Sequence, residues 1–278
     1  MSTAARNQVV GVLFLAVTLA SCGVKAPTQV AGASPKVPVT WRVTQVPPEV
    51  DTPGVEWLTI KGAGGSATNV QVAAVVRPAG SGPFPLVVWL HGFNGFHPAD
   101  IRIAAQLAAS GIMVLVGCWN TSSIAGPLLG VNFACPENLA ASPDAVSALI
   151  TVGEQLPEAR KGAIGVLGLS AGGAEALSVM QERIEVSVVV VDSPACPCVS
   201  KPPTHAIHIL FLGGTADVTV PVQLQQDAEQ AFRAEGYSVD DHYYPGSGHV
   251  VTYFESVHED AMRRAIQFFT HYLSVSAT

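Results

Sequence analysis

Three residues have the types that nucleophilic hydrolysis needs: Ser170 in "GVLGLSAGGAEAL", Asp217 in "LFLGGTADVTVP" and His249 in "YPGSGHV". A serine hydroxyl at neutral pH is a weak nucleophile and needs a base within hydrogen-bond reach. His249 would take its proton and later pass it to the leaving group, while Asp217 would orient the imidazole and stabilise its charged form. The oxyanion that forms during acyl transfer needs donors, worth roughly 2.7–4 kcal/mol each. The backbone N–H of Ala171, just after the serine, is one candidate, and that of Phe93 in "HGFNG" is the second. Only main-chain groups are required there, so Ala and Phe are acceptable. Gly168 and Gly172 would give clearance where a strand turns sharply into a helix. On such a bend Ser170 is expected in an unfavourable backbone conformation, costing on the order of 1–3 kcal/mol.

Other titratable residues compete for these roles. Asp192 ends the run "VSVVVVD" and is the rival acid. Asp217 is preferred because "GGTADVTVP" gives a longer loop ahead of a helix, with room to reach the histidine. His97 shares the loop of Phe93 and is a candidate for facing the substrate, whereas His91 is expected to tie that loop down. His242, His258 and His271 fit packing or surface roles, and His205 and His208 have no visible partner.

The elements that must position these residues follow from periodicity. Two alternating runs, "VTWRVTQV" and "VEWLTIKG", and then "NVQVAAVVRPAG", predict antiparallel strands toward one edge. From Phe84 onward, apolar runs alternate with helical segments: "FPLVVWL", "DIRIAAQLAASG", "IMVLVGCW", "SPDAVSALITVGEQL" and "AIGVLGL" are the first five. "GGAEALSVMQER", "VSVVVVDS", "HAIHILFLGG", "PVQLQQDAEQAFRAEG", "VDDHYYPG" and "FESVHEDAMRRAIQFFTHYL" complete the series. Ser142 is a plausible cap for the second helix, and Pro221 stands near the start of the fourth. Strands that are apolar throughout imply burial on both faces, hence a mostly parallel sheet with helices on either side. In such sheets ligands bind beyond the carboxyl ends of the strands. Phe93, Ser170, Asp217 and His249 all follow apolar runs. Their order, Ser…Asp…His, is that of α/β-hydrolases and differs from chymotrypsin-like and subtilisin-like proteases.

The chain has 278 residues, is 49% hydrophobic and 13% charged, and carries a net charge of −7. That composition can bury enough apolar surface to fold, which excludes disorder, and fits one catalytic domain over residues 39–278. No Lys/Arg cluster is present, which argues against nucleic acid as a partner. Residues 1–21 read as a signal peptide, with Arg6 ahead of an apolar run from Val9 to Ala20 that is too short to span a bilayer. "LASC" is similar to a bacterial lipobox, which would make Cys22 a lipidated membrane anchor; the alternative is an ordinary secretory peptide. Either way the mature protein is expected to be exported to the cell envelope, with residues 22–38, rich in Pro, Ala and Gly, as a flexible tether. Four cysteines remain, which in an exported chain favours disulfides. Cys118 ends an apolar run and Cys135 lies in the long loop after it, so a Cys118–Cys135 bridge is favoured. Cys196 and Cys198 either bridge locally or pair with the other two. A zinc site there is the weaker alternative, since no histidine stands at ligand spacing from them, and no metal site is expected.

Taken together, "HGFNG", "LAASGIMVLVGCWNTSS", "GVLGLSAGGAEAL", "LFLGGTADVTVP" and "YPGSGHV" resemble the dienelactone-hydrolase-like branch of the α/β-hydrolases, which includes cutinase-like bacterial polyester hydrolases. The resemblance covers roughly residues 84–273. It implies an α/β-hydrolase fold with Ser170, Asp217 and His249 as triad and Phe93 and Ala171 as oxyanion donors. Dienelactone hydrolases usually carry a cysteine nucleophile; Ser170 departs from that and points to ordinary esters. Leu169 and Ala171 depart from the aromatic or His and the Met that flank the serine in polyester hydrolases. The long loop Asn120–Ser142 either forms one wall of an acyl pocket, with Trp119 and Phe133 lining it, or is a surface loop stapled by Cys135. The expected activity is that of a serine carboxylesterase acting on small to medium acyl esters without a cofactor, since no separate lid domain is evident. Polyester-directed or lipase activity is the alternative within the enzyme class. A non-catalytic envelope lipoprotein retaining the fold is the alternative outside it. Oligomeric state is left open.

Overall fold

The computed structural model describes residues 38–44, 55–62, 70–120, 135, 143–195, 199, 201–253 and 256–275. The chain divides into residues 1–34 and 35–278, and all described residues belong to the second unit. The signal peptide, Cys22, nearly all of the tether, Phe133, Ser142, Cys196 and Cys198 lie outside the described residues.

Three strands, β1 (Thr40–Thr44), β2 (Val55–Lys61) and β3 (Val70–Val76), pair antiparallel. The alternating unit then begins with β4 (Phe84–Leu90), α1 (Pro98–Ala109), β5 (Met113–Gly117), α2 (Pro143–Gln155) and β6 (Ala159–Leu169). It continues with α3 (Ala171–Val179), β7 (Val186–Asp192), β8 (His208–Gly214), α4 (Val222–Ala234), β9 (Ser238–Tyr244) and α5 (His258–Val275). The strands form one nine-stranded sheet in the order β1-β2-β3-β5-β4-β6-β7-β8-β9. β3 joins β5 antiparallel, and every pairing from β5 to β9 is parallel. This is the mixed sheet of an α/β-hydrolase fold.

Its two faces carry separate cores. On one, Ile101, Ala104 and Leu107 of α1 and Ala265, Phe269 and Leu273 of α5 cover Val87, Trp89, Val114 and Leu167. On the other, Leu149 of α2, Leu177 of α3 and Phe232 of α4 cover Val88, Val166, Val189 and Phe211. Burial on both faces is why β4 to β8 read as continuous apolar runs. Several boundaries differ from the sequence expectation, β8, α3 and α5 among them, and two have a visible cause. Helix α1 starts at Pro98 rather than Asp100, because Asp100 Oδ2 accepts the His97 backbone N–H at 2.7 Å and closes the first turn. Strand β6 starts at Ala159, which pairs with Phe84 across a register shift before Ile164. Fixed-length apolar windows do not register such an irregular extension.

Candidate active site

Ser170 stands between β6 and α3 with φ 52° and ψ −114°, in the left-handed half of backbone space that a non-glycine residue rarely adopts. Such a residue persists only where its surroundings over-determine it. Here its N–H donates to Asp192 O at 2.9 Å, and its carbonyl accepts the N–H groups of Gly173 and Ala195 at 3.0 and 3.1 Å. The glycines permit the bend by close approach. A Cβ on Gly168 would lie 2.3 Å from Gly172 O, and one on Gly172 would lie 2.3 Å from Leu90 O. Ala171 is the first residue of α3, so its N–H has no carbonyl of the preceding turn to bond. The loop after β4 runs alongside: a Cβ on Gly92 would come within 3.7 Å of Ser170 Cβ.

His249 follows β9, and its Nδ1–H donates to Asp217 Oδ2 at 2.7 Å. Asp217 follows β8. Its Oδ1 accepts the backbone N–H groups of Thr219 and Val220 at 2.8 and 2.9 Å, and its Oδ2 also accepts from Gln225 Nε2 at 3.1 Å. Burial pushes the Asp217 carboxyl up, but the hydrogen bond from His249, those from Val220 and Thr219 and the histidine's charge together hold it below the usual carboxylate range. The carboxylate therefore stays ionised where it accepts the His249 Nδ1–H.

A pocket of about 270 Å³ joins these pieces; its lining includes Phe93, Ser170, Thr219, His249, Val250 and Tyr253, with Asp100 at its buried wall. Within it the Ser170 hydroxyl makes no hydrogen bond among the described residues; such catalytic bonds often tighten only when substrate is bound. Phe93 is 55% exposed and offers an apolar surface at the mouth.

Two expected pocket residues do not line this pocket. His97 is fully buried, donates from its ring Nε2 to Asn94 O at 2.8 Å and opens α1. Trp119 is also buried, and its Nε1–H donates to His91 O at 2.9 Å, so it supports the loop of Phe93 from behind. Phe133 lies outside the described residues. His91 stacks on Phe96 and donates from Nδ1 to Gly92 O at 2.7 Å, as a loop anchor would. Asp192, the rival acid, has no bond to His249; it accepts from Ser193, Val251 and Thr252 instead.

The sequence pattern missed Gln225, Asp100 and Tyr253. Gln225 is a polar residue on the buried face of α4, a signal that periodicity carries but that does not name its partner. Asp100 accepts from Trp89 Nε1–H at 2.9 Å and from Tyr253 O–H at 2.6 Å, pairings that span up to 153 residues. Among the described residues no group of three or more His, Cys, Asp or Glu could hold a metal ion. Cys118 and Cys135 are bridged, with Cα atoms 5.6 Å apart.

Residues 133–273, just over half of the chain, match the profile of the dienelactone hydrolase family. The chain belongs to the dienelactone hydrolase family. As a member of that family it is a carboxylic ester hydrolase. Solved structures share the fold of this family member. The propionate-bound thermophilic esterase of the Planctomycetes species Thermogutta terrifontis superposes with a TM-score of 0.62 at 14% identity, covering 82% of this chain and 97% of that one. Acetyl xylan esterase 1 from Thermoanaerobacterium sp. JW/SL YS485 gives 0.61 at 16%, covering 84% and 88%. Dienelactone hydrolase from Anabaena variabilis ATCC 29413 gives 0.56 at 20%, covering 73% and 93%. A search of curated proteins found no significant match to this family member.

Proposed function

We propose that the enzyme hydrolyses small to medium acyl esters through an acyl-enzyme intermediate on Ser170. His249 takes the Ser170 proton as the hydroxyl oxygen attacks the ester carbonyl, then gives it to the departing alkoxide. In the second half-reaction it takes a proton from water, whose oxygen attacks the acyl carbonyl, and returns that proton to Ser170 Oγ as the acid leaves. Asp217 holds the imidazole with Nδ1 protonated, leaving Nε2 free as the base. The N–H groups of Ala171 and Phe93 would receive the oxyanion.

The observation that carries this reading is the 2.7 Å bond from His249 to Asp217, on a histidine that shares one pocket with the strained Ser170. The pocket, at about 270 Å³, falls just below the usual range for small-molecule sites, which favours short acyl groups. Structural neighbours named as an acetyl xylan esterase and as a propionate-bound esterase point the same way. The wild-type protein is expected to react with a fluorophosphonate probe and to cleave p-nitrophenyl acetate. Ser170→Ala should lose both while unfolding at an unchanged temperature. A folded wild type that resists the probe would sink the reading. Rates across p-nitrophenyl esters from acetate to palmitate would set the acyl length, with a fall beyond short chains expected.

A further inference from the structure

Among the described residues, three other than glycine have positive φ: Ser170 at 52°, Ser193 at 50° and Val250 at 62°. They come from three separate loops, yet they meet at one residue, Asp192. Its carbonyl accepts the N–H of Ser170 at 2.9 Å. Its carboxylate, with no solvent exposure, accepts four hydrogens. Oδ1 takes the Ser193 hydroxyl and the Val251 N–H, both at 3.1 Å; Oδ2 takes the N–H of Thr252 at 2.7 Å and its hydroxyl at 2.5 Å. The Ser193 hydroxyl in turn accepts the Val250 N–H at 3.0 Å.

Three successive N–H groups, those of residues 250, 251 and 252, are thus held by one Asp-Ser pair, and they follow His249 directly. Val250 is β-branched, and a positive φ there is a genuine outlier that its surroundings must enforce. The enforcing groups are Ser193 and Asp192. Releasing them would let Val250 relax, and its neighbour His249 would turn with it. Asp217 holds only the ring of His249, at Nδ1; its main-chain bonds go to Thr219 and Val220, not to residues 249–252.

We propose that Asp192 is a positioning residue for the reaction: together with Ser193 it fixes the main chain on either side of the pocket, at Ser170 through its carbonyl and after His249 through its carboxylate. This rests on the triad reading given above, in which Asp217 and not Asp192 is the acid.

Asp192→Asn isolates the carboxylate. Whichever way the amide turns, its NH2 faces a backbone N–H, that of Val251 or that of Thr252, and one of them loses its acceptor. The kcat for p-nitrophenyl acetate should fall about 10- to 100-fold with KM within about twofold, a loss of the size expected for one broken buried hydrogen bond. The acid limb of kcat/KM should stay at its wild-type pH, because His249 keeps Asp217 as its partner. Asp217→Asn should cost about 10⁴-fold in kcat, as loss of the orienting acid does. The deciding readout is rescue. Adding Val250→Gly should recover several-fold in kcat, since glycine holds a positive φ without the strut. A merely structural role would lower the unfolding temperature and show no such recovery.

The proposal is overturned if folded Asp192→Asn keeps its kcat within about twofold of wild type. It is equally overturned if the variant loses as much as Asp217→Asn with a displaced acid limb, for then Asp192 is itself the acid. Should Asp192→Asn fail to fold, Ser193→Ala removes the Val250 acceptor and one donor to the carboxylate, leaving the Val251 and Thr252 bonds to Asp192 in place, and is read in the same way: a kcat loss restored by Val250→Gly supports the strut, and an unchanged kcat overturns it. Residual activity in Ser170→Ala would overturn the triad reading, whereas an inactive Ser170→Ala beside a fully active Asp192→Asn overturns the strut alone.

Discussion

At the scale of single residues, the surroundings decide what each type can do. His91 opens the loop after β4, next to Gly92 in the pocket lining, yet it is 1% exposed and donates only to its neighbour's carbonyl. Burial pushes its pKa down to about 4, with the Gly92 hydrogen bond opposing and the charge of His97 adding. The folded pKa lies below the ordinary value of 6.5, so the unfolded chain binds more protons between those limits. His91 therefore contributes stability that is complete above pH 6.5 and is lost as the pH falls to about 4, about 3 kcal/mol in all. Asp100 acts oppositely: burial raises it to about 6, and the folded state gains as the pH drops through that value. His91→Gln should make urea unfolding less acid-sensitive between pH 6.5 and 4 by about the same 3 kcal/mol. A variant as acid-sensitive as the wild type would refute this account of His91. The residue types at Ser170, Asp217 and His249 were readable because their chemistry and chain order constrain each other. The role of Asp192 was not, because its carboxylate partners lie up to 60 residues away and include main-chain N–H groups that every residue type possesses.

At the scale of elements, the apolar runs announced β4 to β8, since a strand covered on both faces leaves no polar position. Which side of a strand end turns inward was not announced. Trp119 follows β5 and reads as a pocket wall, but the packing of β5 beside β4 carries its indole behind the Phe93 loop to His91 O. His97 was drawn inward in the same way, when Asp100 closed the first turn of α1 around it. The bridge between Cys118, at the end of β5, and Cys135 closes 17 residues of chain. A loop of that length removes about 3 kcal/mol of unfolded-state freedom in the chain-entropy account. Cys118→Ala/Cys135→Ala should therefore lower Tm by roughly 6–12 °C in a calorimetric scan. An unshifted Tm would show that the bridge does not constrain the unfolded chain.

At the scale of the whole molecule, the parallel order of the strands gathers residues spread from Phe93 to His249 beyond the carboxyl ends of β4, β6, β8 and β9. Where the enzyme works in the cell rests on residues 1–22, and we propose that it is exported and lipid-anchored through Cys22, on the strength of "LASC" after an apolar run. Cys22→Ala should move the protein from the detergent phase to the aqueous phase on Triton X-114 partition; a wild type already in the aqueous phase would exclude the anchor. Hydropathy pattern and residue chemistry alone determined the alternation of strands and helices and the residue types that nucleophilic hydrolysis requires. Both are local properties, carried by periods of a few residues and by motifs a few residues long. Tertiary structure decided which acid meets His249, that Asp192 instead braces the loops around it, and that Asp100 and Tyr253 rather than His97 and Trp119 shape the pocket. Those choices depend on hydrogen bonds that become available only when distant strand ends are brought side by side and water is excluded between them.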